Sequence, residues 1–271
     1  MNKVSRILSV AVHGFGAVAF AYPFFTGELA RAGEKSSHAA DAPFFFAILG
    51  VLLVALAVAD VRTGRLGAKE IALLGVLAGL NAVLRLPGAL AGGSLMFFLP
   101  IMCGAVFGAR FGFLLGASSM ATSALITGGA GPWLPFQMWA LGWAGAGGAL
   151  ARPLVRRYGF DVRTIAALAV YGWISGLLFG ALANLWFWPF LKADSAIAWS
   201  PNAGAAANMV RYARFYLVTS LAWDSGRAIV NAVLIVALGR PVGSLLERFR
   251  ARLEVSWDPE PVAAGRATIQ A

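Results

Sequence analysis

Long apolar segments alternate with short polar segments along the whole chain, and within each apolar segment the apolar residues are continuous. A hydrocarbon core of roughly 30 Å needs about 20 apolar residues in a helix. The pattern therefore predicts an all-α polytopic membrane protein, and it excludes a transmembrane β-barrel, whose strands alternate apolar and polar residues. We expect eight transmembrane helices, at about residues 6–26, 43–60, 70–86, 94–108, 111–127, 135–151, 164–189 and 212–238.

Glycine and proline mark several boundaries of the predicted spans. Pro43 suits a first helical turn, and Pro87 cannot continue the third span without a kink. Gly239-Arg240-Pro241 predicts the end of the eighth span. The chain divides into two extra N-terminal helices (1–69), a six-helix membrane core (70–240), and a cytoplasmic amphipathic helix with a disordered tail (241–271).

Composition and charge agree with a membrane protein. Hydrophobic residues make up 59% of the 271 residues and charged residues only 13%, which is too little charge to cover a soluble surface. The net charge of +10 does not predict a nucleic-acid partner, because the basic residues lie between the apolar segments. With eight spans, 15 Lys and Arg residues fall on one side and 6 on the other. This bias predicts a multi-pass protein of the cell membrane with both termini in the cytoplasm.

The sequence offers no enzyme signature. Neither His13 nor His38 has Cys, Asp or Glu at metal-ligand spacing, and the single cysteine, Cys103, lies in an apolar segment. Gly116-Ala-Ser-Ser-Met120 lacks the second glycine of a nucleophile elbow, and no Walker A sequence is present. We therefore expect a non-enzymatic chain that binds no cofactor and no metal. Any ATP hydrolysis would belong to separate partner subunits.

Polar side chains within the apolar spans are candidates for function. A charge at the centre of a membrane helix costs about 2.5–3.5 kcal/mol on insertion scales. Asn81 and Arg85 lie at the end of the third span, and Trp133 and Gln137 at the start of the sixth, so these four are expected near one membrane face. Asn184, near the end of the seventh span, is expected to join them. Apolar walls with a few polar anchors are typical of a site for a vitamin-sized molecule.

Asp224 and Arg227 lie three residues apart on the eighth span. They share a helix face at this spacing and can neutralise one another. Two interpretations stay open: a structural ion pair, or a pair that takes part in substrate binding.

Small residues recur at a spacing of four in the third span: Gly75 with Gly79, and Ala78 with Ala82. This spacing places small groups on one helix face and lets another helix approach its backbone. The face serves either packing within this chain or docking of a partner.

Three motifs carry a resemblance to a known family: Arg85-Leu-Pro-Gly88, Gly131-Pro-Trp-Leu-Pro-Phe-Gln137 and Trp223-Asp-Ser-Gly-Arg-Ala228. With them, the segment from about residue 70 to 240 resembles the substrate-specific S component of an energy-coupling factor (ECF) vitamin transporter of the actinobacterial type. The likeness covers about 170 of the 271 residues. It implies a six-helix core with both ends in the cytoplasm and a high-affinity site that opens outward.

The resemblance also implies partners and a class of substrate. The partners are a transmembrane T component and two cytoplasmic ATPases, and the family's Ala-x-x-x-Ala docking motif would fall on Ala78 and Ala82. Gly75 with Gly79 offers a competing register. The substrate is a vitamin or related micronutrient, with cobalamin as our first choice and a thiamine precursor or another vitamin also compatible. Our candidate substrate-binding residues are Asn81, Arg85, Trp133, Gln137, Asn184, Asp224 and Arg227.

A second hypothesis is a stand-alone secondary transporter coupled to protons or sodium, with Asp224 as the coupling residue. Such transporters often contain inverted repeats with broken helices. The chain has Pro/Gly breaks after the third span and before the sixth, but it shows no convincing internal repeat.

Overall fold

The computed structural model describes residues 3–24, 41–64, 66–86, 94–191 and 196–254, and every regular element in those ranges is helical. The predicted all-α architecture is confirmed for these residues, whereas the predicted tail after residue 254 lies outside them. The α-helices are α1 (Lys3–Ala21), α2 (Ala42–Arg62), α3 (Ala68–Val83), α4 (Phe98–Phe107), α5 (Ala109–Thr127), α6 (Leu134–Gly147), α7 (Arg152–Tyr158), α8 (Val162–Leu185), α9 (Gly204–Thr219) and α10 (Leu221–Glu254).

Five helical segments are long and apolar enough to span a membrane: Lys3–Phe24, Ala42–Arg62, Ala109–Thr127, Val162–Phe190 and Leu221–Leu253. They correspond to the first, second, fifth, seventh and eighth predicted spans. The other three predicted spans are shorter helices, with Leu95–Phe107 the shorter apolar segment between α3 and α5. The structure is therefore consistent with a multi-pass helical membrane protein, and the number eight stays a prediction.

The bundle has an arginine-rich end, where several helix termini meet. Ser5 near the start of α1, Asp60 near the end of α2 and Arg110 in the first turn of α5 are in contact there. Arg152 at the start of α7 and Arg250 near the end of α10 line a cavity with Arg110. These contacts place one terminus of each of α1, α2, α5, α7 and α10 at the same end of the bundle.

The opposite end is rich in tryptophan. The rings of Trp133, which precedes α6, and Trp186, which follows α8, have centres 6.4 Å apart. Trp188 and Trp199 form a second pair with centres 5.7 Å apart. Tryptophan is enriched where a membrane helix meets the interface, and we call this the tryptophan-rich end.

Glycine brings the backbones of α5 and α6 together at the centre of the bundle. A Cβ atom on Gly112 would overlap the backbone of Gly145, and one on Gly116 would overlap that of Leu141. Small residues permit this approach between membrane helices. The junction between α4 and α5 lies at Gly108, whose φ of +103° favours glycine, and not at Ala109-Arg110 as we expected.

The two N-terminal helices pack into this same core. The indole N–H of Trp139 in α6 donates to the carbonyl of Val12 in α1, and that of Trp143 donates to Nδ1 of His13. Phe45 and Leu49 of α2 belong to the continuous buried cluster that also contains Trp139. The boundary we expected at residue 69 therefore does not coincide with a break in packing.

The predicted stop at Gly239-Arg240-Pro241 was wrong, because α10 continues without interruption through Pro241 to Glu254. Proline removes one backbone hydrogen bond inside a helix, so packing must hold the helix on both sides of it. Gly239 lies against Ile165 before the proline, and Gly243 lies against Phe160 after it. The eighth predicted span is divided instead at Ser220, between α9 and α10.

Candidate binding site at the tryptophan-rich end

The seven predicted substrate-binding residues all lie in the half of the bundle near the tryptophan-rich end. Asn81 is in the last turn of α3 and Arg85 follows it, while Asn184 is in the last turn of α8. Trp133 and Gln137 flank the start of α6, and Asp224 and Arg227 lie in the first two turns of α10. Helix direction therefore gathers residues that are up to about 150 positions apart in the chain.

Three of these residues surround the turn that leads into α4. The side-chain amide of the fully buried Asn81 donates to the carbonyl of Met96, with Nδ2 and the oxygen 3.0 Å apart. On the next residue, the ring of Phe97 faces Arg227, whose Cζ lies 6.0 Å from the ring centre. Asn81 and the Asp224–Arg227 pair thus approach the start of α4 from two sides.

Asp224 and Arg227 form an ion pair with Oδ1 and Nη1 2.5 Å apart. The side chains are only 4% and 13% exposed, so the pair is buried between α8 and α10. Arg227 also donates to the carbonyl of Gly176 and lies 5.1 Å from the ring centre of Phe179. A Cβ atom on Gly180 would overlap the Asp224 carboxylate. The pair therefore joins α8 to α10, which supports the structural interpretation and leaves a role in binding untested.

A glycine stripe on α8, which our sequence reasoning missed, makes this arrangement possible. Gly172, Gly176 and Gly180 follow one another at a spacing of four and all face α10. The side-chain amide of Asn231 donates to the carbonyl of Gly172. The small-residue spacing that we noted on α3 also occurs on α8 and could have identified this contact. Glycine leaves the backbone carbonyls of α8 accessible to the polar side chains of α10.

The remaining predicted residues make separate contacts. Arg85 donates through Nη1 to the hydroxyl of Ser123 in α5, 3.1 Å away. Asn184 donates to the hydroxyl of Ser220, 2.8 Å away, at the junction of α9 and α10. Trp133 is partly exposed and contacts Trp186, and Gln137 is partly buried. These residues share the end of the bundle, but no direct bond joins them to Asn81 or Asp224 among the described contacts.

Several buried polar atoms in this half have no hydrogen-bond partner among the described residues. They include Oδ1 of Asn81 and Nε1 of Trp199. Oδ2 of Asp224 has no bond of good geometry, but the hydroxyl of Tyr216, 3.4 Å from the carbonyl of Leu177, also interacts with the Asp224 carboxylate as a donor. Buried polar groups are nearly always satisfied in folded proteins, so unsatisfied atoms are candidates for contact with a ligand.

The two registers of small residues on α3 have different surroundings. Ala78 and Ala82 are 5% and 0% exposed and pack within this chain, beside the buried Asn81. No described atom lies within 4 Å of the place where a Cβ on Gly75 or Gly79 would stand. The family-like Ala78/Ala82 register is thus occupied by internal packing, and the Gly75/Gly79 face remains open.

Two cavities among the described residues lie away from the tryptophan-rich end. The two with volumes of about 460 and 480 Å³ are both at the arginine-rich end and contain none of the seven predicted residues. The described residues contain no cluster of three or more His, Cys, Asp or Glu side chains that could hold a metal.

Comparison of the chain with protein-family models, curated proteins and solved structures finds no match in any of the three.

Proposed function

We propose that this chain is the membrane-embedded substrate-binding (S) subunit of an ECF-type importer and binds a vitamin or related micronutrient at the tryptophan-rich end. The observation that supports the proposal is the buried, unsatisfied acceptor Oδ1 of Asn81 beside the start of α4, with the buried Asp224–Arg227 pair on the other side of that turn. A site that fixes a small molecule needs an apolar, aromatic wall and a few such polar anchors. Phe97 and Phe179 supply aromatic faces beside them.

The chemistry of these atoms favours a substrate with N–H or O–H donors and a flat apolar body. A carboxylate oxygen and an amide oxygen accept hydrogen bonds, whereas Trp199 offers one donor. Cobalamin, with its primary amides, and a thiamine precursor, with an aminopyrimidine, both match this pattern. Cobalamin remains our first choice.

Transport would require partners that this chain does not contain. We place a transmembrane T component on the open Gly75/Gly79 face of α3, with two cytoplasmic ATPases that hydrolyse ATP. The arginine-rich end would then face the cytoplasm, together with both termini, because positive residues favour the cytoplasmic side of a cell membrane.

The bound molecule provides the direct test. The protein would be purified in lipid nanodiscs from cells grown in rich medium, and small molecules released by denaturation would be identified by mass spectrometry. We expect one vitamin at near-stoichiometric amount. In Asn81→Ala we expect about three- to tenfold less, since a neutral hydrogen bond contributes about 0.5–1.5 kcal/mol, and in the neutral double variant Asp224→Asn/Arg227→Gln at least about tenfold less, since a bond to a charged group contributes about 1.5–3 kcal/mol.

Gly14→Leu is the matched control, because no described atom lies within 4 Å of a Cβ at Gly14 on the outward face of α1. Each variant would be checked by gel filtration and thermal unfolding. Wild-type protein that carries no vitamin and binds none of the candidates by calorimetry would exclude the proposal.

The buried Asp224 favours one second candidate, a stand-alone transporter coupled to protons or sodium. A buried carboxyl group within an apolar membrane helix is the kind of residue that carries coupling ions. Uptake into proteoliposomes that contain this chain alone, driven by an ion gradient and lost in Asp224→Asn, would favour that candidate. Uptake that requires the T component, the ATPases and ATP would favour the S subunit.

A further inference from the structure

Both ends of α9 lie at the tryptophan-rich end of the bundle. Near its start, Nδ2 of Asn208 donates to the carbonyl of Ser200, 2.7 Å away, and Oδ1 of Asn208 accepts from the amide of Ser200 at 3.0 Å. Ser200 directly follows Trp199, one of the residues that define this end. After the last turn of α9, Ser220 accepts a hydrogen bond from Asn184 in the last turn of α8. Because both of its ends are at this level, α9 lies across the axis of the bundle and does not descend along it.

The length of α9 agrees with this position. With 16 residues, α9 is about 24 Å long at 1.5 Å per residue, which is shorter than a hydrocarbon core of roughly 30 Å. It is not one of the five described segments that are long and apolar enough to span a membrane, whereas α10, which follows it, is one of them. The crossing that we predicted over residues 212–238 is thus divided between a short transverse helix and the start of α10.

One side of α9 is attached to the bundle. The side chains of Asn208 and Phe215 are buried on this side, and the ring of Phe215 packs against that of Phe187 with centres 5.8 Å apart. The hydroxyl of Tyr212 donates to the carbonyl of Ala181 in α8. These contacts fix which side of the helix faces the protein.

The other side of α9 is apolar and exposed. The side chains of Met209, Val210, Leu217 and Val218 have 51–78% of their surface exposed. Arg214, three residues before Leu217, is exposed beside them, because residues at this spacing are neighbours on a helix surface. An exposed apolar face of this kind marks a surface that contacts a membrane or another protein.

We propose that the exposed face of α9 lies in the bilayer, at the boundary between headgroups and acyl chains on the side of the tryptophan-rich end. A helix at that boundary lies parallel to the membrane plane and buries its apolar face about 5–10 Å deep. Tryptophan rings prefer the same level, and the ring of Trp188 packs against Tyr212 of α9 with centres 4.9 Å apart. Arg214 can direct its guanidinium to lipid phosphates while its methylene groups stay among the acyl chains. The transverse position, the short length and the tryptophans favour a lipid surface over a protein partner. This inference is independent of the vitamin proposal.

Site-directed spin labelling tests the assignment. The single cysteine is completely buried and would be removed by Cys103→Ala, and one label at a time would be attached to Met209→Cys, Val210→Cys or Leu217→Cys. In lipid nanodiscs, power-saturation EPR would measure the collisions of each nitroxide with oxygen, which concentrates in the acyl chains, and with a water-soluble nickel chelate. We expect oxygen to dominate at all three sites, at nearly equal depths. A helix that crossed the membrane would place residues 209 and 217 about 12 Å apart in depth, since they are eight residues apart.

Two further labels serve as references. Asn202→Cys lies in the exposed turn before α9 and should favour the nickel chelate. Val233→Cys, exposed on the spanning helix α10, should favour oxygen at a greater depth. Each labelled protein would be checked by thermal unfolding. Nickel access on the α9 face equal to that at residue 202 would overturn the proposal, and so would a depth difference of about 12 Å along the helix. Low access of both reagents would also overturn it, because a second copy of the protein would then cover the face.

Discussion

Trp139 donates its indole N–H to the carbonyl of Val12 with the two atoms 3.1 Å apart, and both residues are completely buried. A tryptophan in the sixth helix thus reaches the backbone of the first. A tryptophan N–H that is buried in an apolar core needs a hydrogen-bond acceptor. The bond to Val12 therefore fixes the position of α1 against α6 as well as bringing the two helices into contact.

Gly16 on α1 is expected to be intolerant of a side chain. A Cβ there would lie 2.6 Å from the ring of Trp139 and 2.9 Å from that of Trp143. Gly16→Leu should lower the free energy of unfolding by about 1–3 kcal/mol, the usual cost of overpacking a core. Thermal unfolding in detergent measures the effect, and Gly14→Leu, two residues away on the open face, should leave the melting temperature nearly unchanged. Equal effects of the two variants would contradict the packing of α1 described here.

The ion pair between Arg110 and Asp60 is expected to stabilise the arginine-rich end. The side chain of Asp60 is 3% exposed and that of Arg110 20%, and both contact Ser5 of α1. Asp60→Ala leaves the arginine without its carboxylate and should cost about 3–5 kcal/mol.

The partly exposed pair Arg250–Glu247 is the matched control for this prediction. Glu247→Ala should cost at most about 1 kcal/mol, because an accessible ion pair contributes little. Chemical unfolding of both variants in mixed micelles compares them. A cost for Asp60→Ala no larger than that for Glu247→Ala would show that the buried pair does not hold α1, α2 and α5 together.

Gly180 on α8 is expected to be required for the buried position of Asp224. A Cβ there would displace the carboxylate and weaken its ion pair with Arg227. Gly180→Ala should therefore destabilise the protein by about 1–3 kcal/mol, although alanine is the better helix former. Gly79→Ala on the open face of α3 provides the comparison and should be neutral or stabilising in a thermal melt. Stabilisation by both changes would exclude close contact of α8 with Asp224.

The open face of α3 is expected to be the docking face for a partner if the chain is an S subunit. A double variant Gly75→Leu/Gly79→Leu should keep its melting temperature, since no described atom opposes the new side chains. It should lose most of the T component and ATPases on co-purification, because bulky side chains prevent close helix approach. Gly14→Leu should retain them. Retention of the partners by the double variant would exclude this face, whereas Ala82→Leu would be uninformative because Ala82 is buried.

Acid should destabilise the start of α8. Asp161 caps this helix by accepting hydrogen bonds from the amides of Arg163 and Thr164, both 3.0 Å away. These bonds, the one from Thr164 above all, hold the pKa of Asp161 below its usual range. A carboxyl with a lowered folded pKa stabilises the protein above its unfolded pKa of about 3.9 and loses that effect as the pH falls through its folded pKa. Asp161→Asn keeps a helix cap but has no carboxyl group to protonate. The melting temperature of this variant should therefore fall less than that of the wild-type protein between about pH 5 and about pH 3. Parallel curves for the two proteins would exclude the cap as a source of acid sensitivity.

Particular residues show how far sequence reasoning reached. The helical class, the end of α3 near Pro87 and the grouping of Asn81, Arg85, Trp133 and Asn184 at one end all follow from apolar segment length and the direction of successive spans. The Asp224–Arg227 ion pair follows from a spacing of three on a helix. The burial of this pair against Gly180 could not be predicted in the same way. Local spacing does not show which helix packs against α10 or how that helix is rotated.

The wrong prediction at Pro241 has a tertiary cause. Pro241 is a valid local stop signal, but Gly239 and Gly243 pack against Ile165 and Phe160 on both sides of it and hold α10 together. Ala78 and Ala82 were left open between internal packing and docking, and the rotation of α3 places them in the core of the chain. In both places long-range packing decided the outcome.

By itself, the sequence determined that this chain is built from apolar helices, with positive charge at one end and tryptophan at the other. Both properties depend on the transfer of each segment between water and lipid, which adds up residue by residue. Only the tertiary structure decided that α1 is held by Trp139, that the α8 glycines hold the Asp224–Arg227 pair, and that Gly75 faces outward. Those outcomes depend on which helix faces meet, and a bilayer rewards such contacts through close packing and hydrogen bonds between residues far apart in the chain.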